Sequence, residues 1–147
     1  MDTPATPPAS SDIPACVRPF FTSLPDHQRQ YATYLRTYIL FAAKDTPGVG
    51  KLSETLKWGQ PSYQTEESGT GTPIRINWNK DTPFIIELLV HCQTSLVDTW
   101  RAMFEDTLSF SGNRAILLDT RKALPAQELS NCIRMALTYH AAKRRSM

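Results

Sequence analysis

Glu54, Lys57, Trp58 and Tyr63 fall within one short run, "ETLKWGQPSY", with Gly59 and Pro61 set between them. A carboxylate, an ammonium and two large aromatics this close can hold a small molecule, with the rings as walls and the charges as anchors. The same residues can make a structural corner. Glu54, Lys57 and Trp58 stand at i, i+3 and i+4, which one helical turn brings to a common face. Ser53 can cap that turn, Gly59 can end it, and Pro61 leads into extended backbone at Ser62 and Tyr63. As a corner, Trp58 plugs the end of the core and Glu54 pairs with Lys57 at the surface. As a pocket, the ligand-binding residues are Glu54, Lys57, Trp58, Gly59, Pro61 and Tyr63, with Trp78 from a following strand.

Other chemistries need patterns that this chain does not offer. Thiol catalysis needs a cysteine beside a histidine. His91 and Cys92 are sequence neighbours, which on a strand turns them to opposite faces. Cys132 and His140 on a helix lie about 80° from a shared face, and His140 continues the apolar stripe of Ile133 and Leu137. A tight metal site wants His, Cys, Asp or Glu at set spacings. There is no H-x-x-x-H, H-E-x-x-H or paired C-x-x-C, and His27, His91 and His140 are spread along the chain. Weak carboxylate binding of iron or calcium needs no such signature. "GVGKLS" falls short of a phosphate loop: Asp45 stands where the first glycine belongs and Leu52 follows the lysine. A helix stop and a loop account for those glycines. Nucleic acid is not an expected partner, because Glu54, Glu66 and Glu67 sit among the basic and aromatic residues and repel phosphate.

The elements that must position these residues follow from periodicity. "SSDIPACVRPFFTSLP" sets Val17, Phe20, Phe21 and Leu24 at helical spacing, for a short helix ending near Pro25. A longer helix spans Asp26 to Asp45, with Tyr31, Tyr34, Leu35, Tyr38, Ile39 and Ala42 on one side and Asp26 as its cap. "PIRINWNK" alternates as a strand, and the nearly continuous apolar run "FIIELLVH" suits a central one. A hairpin symmetric about Asp81 sets Arg75 opposite Glu87, an ion pair that accounts for the acid in an apolar strand. A third helix, from about Leu96 to Asp106, carries Ser95 and Asp98 as a capping box and a stripe of Leu96, Trp100, Met103, Phe104 and Leu108. "SFSGNRAILLD" reads as a strand pair about a two-residue Gly112-Asn113 turn. A closing helix starts near Pro125 and buries Leu129, Ile133, Ala136, Leu137 and Ala141. Strands grouped between helices give an α+β class: one mostly antiparallel sheet with helices on one face.

The 147 residues suit one domain able to bury a core unaided. Hydrophobic residues at 41% and charged residues at 20% are ordinary for a globular chain, and a net charge of +2 points to no polyanion. Residues 1–10, rich in Pro, Thr, Ala and Ser, read as a disordered leader, 11–143 as the domain and 144–147 as a basic tail. Cys16, Cys92 and Cys132 cannot all pair within one chain, and no apolar run reaches about 18 residues. These features favour a soluble, cytoplasmic protein with no membrane partner.

The opening run resembles the signature E-x-x-K-W-G-x-P-x-[FY] of the YdhG-like family, a mainly bacterial family of small domains whose general function is unassigned. "YLRTYILFAA" resembles its long first helix, "SGNRAILLD" its late strand and "LPAQELSNCIRMALTYHAAK" its closing helix. The likeness extends from about Asp12 to Lys143. It implies an architecture similar to frataxin, with helices on one face of an antiparallel sheet. It also implies one function, an intracellular iron chaperone. The residues themselves give a non-catalytic domain, without cofactor, that binds a small ligand, a metal or a protein partner near the K-W-G-x-P corner. An iron chaperone and a thiol enzyme using Cys92 or Cys132 are the alternatives.

Overall fold

A computed structural model describes residues 13–145; the leader expected over 1–10 lies outside them. The first helix, α1 (Arg18–Ser23), buries Phe20 and Phe21, whose rings meet edge to face at 5.3 Å. Helix α2 (Asp26–Asp45) has the expected bounds and buries Tyr31, Leu35, Ile39 and Ala42. Asp26 does not cap it. Pro25 holds the cap position, and Asp26 instead accepts from Arg29 at 3.0 Å in the open.

Six strands make one antiparallel sheet in the order β1-β2-β3-β4-β6-β5: β1 (Ser53–Lys57), β2 (Gln60–Gln64), β3 (Ile74–Trp78), β4 (Ile85–Leu89), β5 (Ser109–Ser111) and β6 (Ala115–Asp119). Alternation divides its two faces. Tyr63, Ile74, Ile76, Ile86, Leu88, Ile116 and Leu118 point into the core. Helices α1, α2, α3 (Leu96–Phe104) and α4 (Ala126–Leu137) bury their apolar residues in that same cluster, so they cover this one face. The single-domain α+β architecture expected from the sequence is the one observed. Among the described residues, no helix is long and apolar enough to cross a membrane.

The β3–β4 register departs from expectation. Trp78 faces Ile86, Asn77 faces Glu87 and Arg75 faces Leu89, so the hairpin centres on Thr82 rather than Asp81. Glu87 therefore takes a hydrogen bond from the Asn77 amide at 2.8 Å, and Arg75 has no acid opposite it. A shift of two residues preserves which side chains face inward, so the burial pattern survives while the expected ion pair does not. The β5–β6 turn likewise spans Gly112 to Arg114, a three-residue loop with Gly112 at φ 58°, rather than two residues.

At α3 the Ser95 side chain makes no cap hydrogen bond. Met103 is exposed, while Val97 and Trp100 are buried. The closing helix is two helices, because the chain breaks at Thr138 before α5 (Tyr139–Arg145). The β2–β3 loop causes the break: the Thr70 carbonyl accepts from the N–H groups of His140 and Ala141. The Thr70 hydroxyl donates to Leu137 O and the Thr72 N–H to Ala136 O. Gly71 lies so close to the Leu137 backbone that a Cβ there would collide with it. His140, expected on the buried stripe, is turned out to solvent.

Candidate functional site

The run "ETLKWGQPSY" builds a β-hairpin, not a helical turn. Five residues of β1 pair with five of β2, from Ser53 opposite Gln64 to Lys57 opposite Gln60. One isolated helical turn costs its nucleation entropy for a single hydrogen bond, whereas a hairpin on β3 extends an existing ladder. Trp58 and Gly59 form the two-residue turn, both at positive φ, 52° and 76°. Two such angles are what a type I′ hairpin requires. Gly59 adopts that region freely. Trp58 is the sole non-glycine residue at positive φ among those described, and a bulky side chain there is strained.

Inward-facing residues of the hairpin form a closed polar network. The Arg36 guanidinium of α2 donates to both Glu54 carboxylate oxygens, Nε to Oε2 at 2.6 Å and Nη2 to Oε1 at 2.9 Å. The Tyr63 hydroxyl donates to Glu54 Oε2 at 2.7 Å. The Arg36 and Glu54 side chains are 5% and 9% exposed, and Tyr63 is fully buried. Such a fork satisfies the buried carboxylate by charge-assisted bonds. Burial, and then the neighbouring Glu54 charge, push the Tyr63 phenol well above its ordinary pKa. At Arg36 burial opposes the charged form, but the hydrogen bond and charge of Glu54 outweigh it and raise the pKa. The group is therefore a neutral phenol and a satisfied ion pair that ties α2 to β1 and β2.

Outward-facing residues form an open trough of about 580 Å³ on the uncovered face of the sheet. Lys57 and Trp58 come from the hairpin tip, Ser62 from β2, Arg75 from β3, His91 and Cys92 from the segment after β4, and Arg114 from the β5–β6 turn. Trp58 is 85% exposed. The Arg75 guanidinium lies 5.2 Å from its ring centre and donates to the Gln60 amide oxygen at 3.1 Å. No carboxylate of the described residues forms an ion pair with Lys57, Arg75 or Arg114. The Ser62 hydroxyl is buried and has no hydrogen-bond partner among them.

The expected site residues thus separate. Lys57 and Trp58 line the trough, and Gly59 shapes the turn that presents them. Glu54 and Tyr63 belong to the buried network, so neither the pocket wall of Trp58 and Tyr63 nor the Glu54–Lys57 surface pair forms. Trp58 does not plug the core either. Pro61 is buried within β2. Trp78 sits half-buried against the core and donates its indole N–H to Pro83 O at 3.0 Å. The sequence reading missed Arg75 and Arg114. The alternation of β3 already turned Arg75 outward, but the register error had given it to Glu87.

Cys92 also departs from expectation. His91 and Cys92 lie beyond the end of β4, not on it, and both reach the trough. His91 Nδ1 accepts from the Gln93 N–H at 3.1 Å. Cys132 is buried, and burial, with the Glu128 charge as the lesser cause, pushes its thiol up to about 12; a thiol so disfavoured as thiolate is a poor nucleophile. No three His, Cys, Asp or Glu side chains gather into a possible metal site among the described residues.

Comparison of the chain with protein-family models, with curated proteins and with solved structures gave no match.

Proposed function

We propose that this chain is a non-catalytic binding domain that holds a small anionic ligand in the trough at the hairpin end of its open sheet face. The supporting observation is Trp58, a large aromatic held at φ 52° and 85% exposed at the rim of a cationic hollow. Neither folding nor solubility favours a tryptophan there. An Asn-Gly turn would close the same hairpin without the strain, and strained, exposed aromatics concentrate where a surface is used. Lys57, Arg75 and Arg114 supply the positive charge, and the absence of an ion-pair partner among the described residues leaves it available to a ligand. The likeness of the run to the YdhG-like signature is compatible with this, because its K-W-G-x-P core is the string that builds the hairpin tip.

Titration of the full chain with inorganic phosphate and pyrophosphate, followed by amide chemical shifts at low salt, tests the proposal. Shifts should centre on Lys57, Arg75 and Arg114 and weaken as salt is added. Combined substitution of the three by Gln should abolish them. A titration that moves no resonance in the trough sinks the reading.

A further inference from the structure

We infer that the anion held in the trough is the phosphate of a single nucleotide, its base stacked on Trp58 and its phosphate held by Arg75, Arg114 and Lys57; this rests on the reading just proposed and specifies its ligand. Charge alone calls for any small anion. The ring adds a second requirement. One face of the Trp58 indole is taken by Arg75, yet 85% of the residue remains open to solvent. A planar aromatic on the free face would complete a base–indole–guanidinium stack, in which the cation beneath the ring strengthens the contact. The hollow of about 580 Å³ falls within the range of small-molecule sites. Its polar lining, the unpartnered Ser62 hydroxyl and the Gln64 amide, provides hydrogen bonds for a sugar or a base edge.

The distribution of charge along the open face favours one nucleotide over a strand. The Arg75 row of the sheet, which continues through Leu89 to Ala115, carries no acid. The neighbouring outward-facing row, on the hairpin-tip side, carries Glu87, and the row beyond it carries Asp119, the latter in an ion pair with Arg121. A polynucleotide crossing the sheet would run onto those carboxylates. It would also want successive stacking platforms. Phe84, the next exposed aromatic beyond the acids, is already covered by Arg121 at 4.5 Å.

The experiment compares AMP, ribose 5-phosphate, adenosine, inorganic phosphate and short single-stranded oligothymidylates on the full chain. Binding is followed by the indole N–H resonance of Trp58, with those of Trp78 and Trp100 as internal controls. AMP should bind roughly tenfold more tightly than ribose 5-phosphate, the size of one base–aromatic stack. It should also bind more tightly than adenosine, and it should shift the Trp58 indole alone. Trp58→Leu should abolish the preference for AMP over ribose 5-phosphate; Trp58→Phe should restore part of the difference. Both substitutions are at an exposed position, and an unaltered melting curve checks that each variant folds. Equal binding of AMP and ribose 5-phosphate overturns the nucleotide assignment and leaves the anion site standing. No binding of any phosphate overturns both. Affinity that rises with oligonucleotide length overturns the single-nucleotide assignment in favour of a strand.

Discussion

Glu54 and Lys57 share one five-residue strand and end on opposite sides of the sheet. Glu54 is turned inward, where Arg36 and Tyr63 satisfy its carboxylate and its side chain is 9% exposed. Lys57 is turned outward beside an exposed tryptophan, in a hollow whose cations form no ion pair among the described residues. The same amino-acid chemistry therefore does two things a few ångströms apart. Inside, charges are matched and the ring hydroxyl is bonded, so the group fixes how α2 seats on the hairpin. Outside, the charge has no ion-pair partner among the described residues and one face of the ring is open to solvent. A chemically dense segment need not be one site. On a strand, the period of two decides which of its residues can reach a ligand.

The sharpest way to break the comparison is at Glu54. Removing one partner of a buried ion pair leaves the other charge stranded, at a cost of about 3–5 kcal/mol. Glu54→Ala should therefore lower the urea midpoint severely. The double substitution Arg36→Met with Glu54→Leu should recover part of the loss, because a matched apolar pair of similar volume is often neutral while the buried Tyr63 hydroxyl is left without its acceptor. Phosphate binding by the double variant should be unchanged. Loss of ligand binding in that folded variant would show that the inner half belongs to the site.

Tyr63→Phe should cost less, about 1.5–3 kcal/mol for one hydrogen bond to a charged acceptor. It also changes the alkaline response. The Tyr63 phenol is raised well above its ordinary pKa, and Tyr31 and Cys132 are each pushed up to about 12, burial being the first cause in all three. Below about pH 7 these groups are protonated in both folded and unfolded chains, so they add no pH dependence. Above it the unfolded chain releases its protons first, and stability falls through the raised folded values. Urea midpoints from pH 7 to 11 should show that decline, and Tyr63→Phe together with Cys132→Ala should make it shallower.

The helices and the inner face of the sheet were legible because long apolar periodicity outweighs local detail: Tyr31, Leu35 and Ile39 fix α2, and Ile74, Ile76 and Ile86 fix two strands. What was not legible depended on turns. The link between β3 and β4 has no short turn signature, so Arg75 was set two residues out of register and its freedom from any acid went unseen. The β1–β2 hairpin was hidden for a stronger reason. Its turn carries Trp-Gly where Asn-Gly or Asp-Gly would announce a type I′ turn. Without that signal, the i, i+4 coincidence of Glu54 and Trp58 read as helix. The segment that broke the local rule is the one the trough is built around.

That conflict predicts a small effect of unusual sign. If Trp58 occupies positive φ for a ligand and not for the fold, replacing it with the residue the turn prefers should stabilise the protein. A bulky residue in that region stores on the order of 1–3 kcal/mol of strain, and losing the cation–π contact with Arg75 costs about 0.5–1 kcal/mol at an exposed site. Trp58→Asn should therefore raise stability by about 0.5–1 kcal/mol, a rise in Tm of roughly 2–4 °C for a chain of this size. Trp58→Gly, which relieves the same strain but loosens the unfolded chain, should stabilise less. Gly59→Ala, at φ 76°, should move the other way by about 1 kcal/mol. Calorimetry of the three variants, run beside AMP titrations, separates the two halves of the hairpin. Trp58→Asn should be the more stable protein and the poorer binder. A clear loss of stability in Trp58→Asn would mean that the ring packs on the sheet for the fold's sake, and the outer half of the hairpin would then be structural like the inner one.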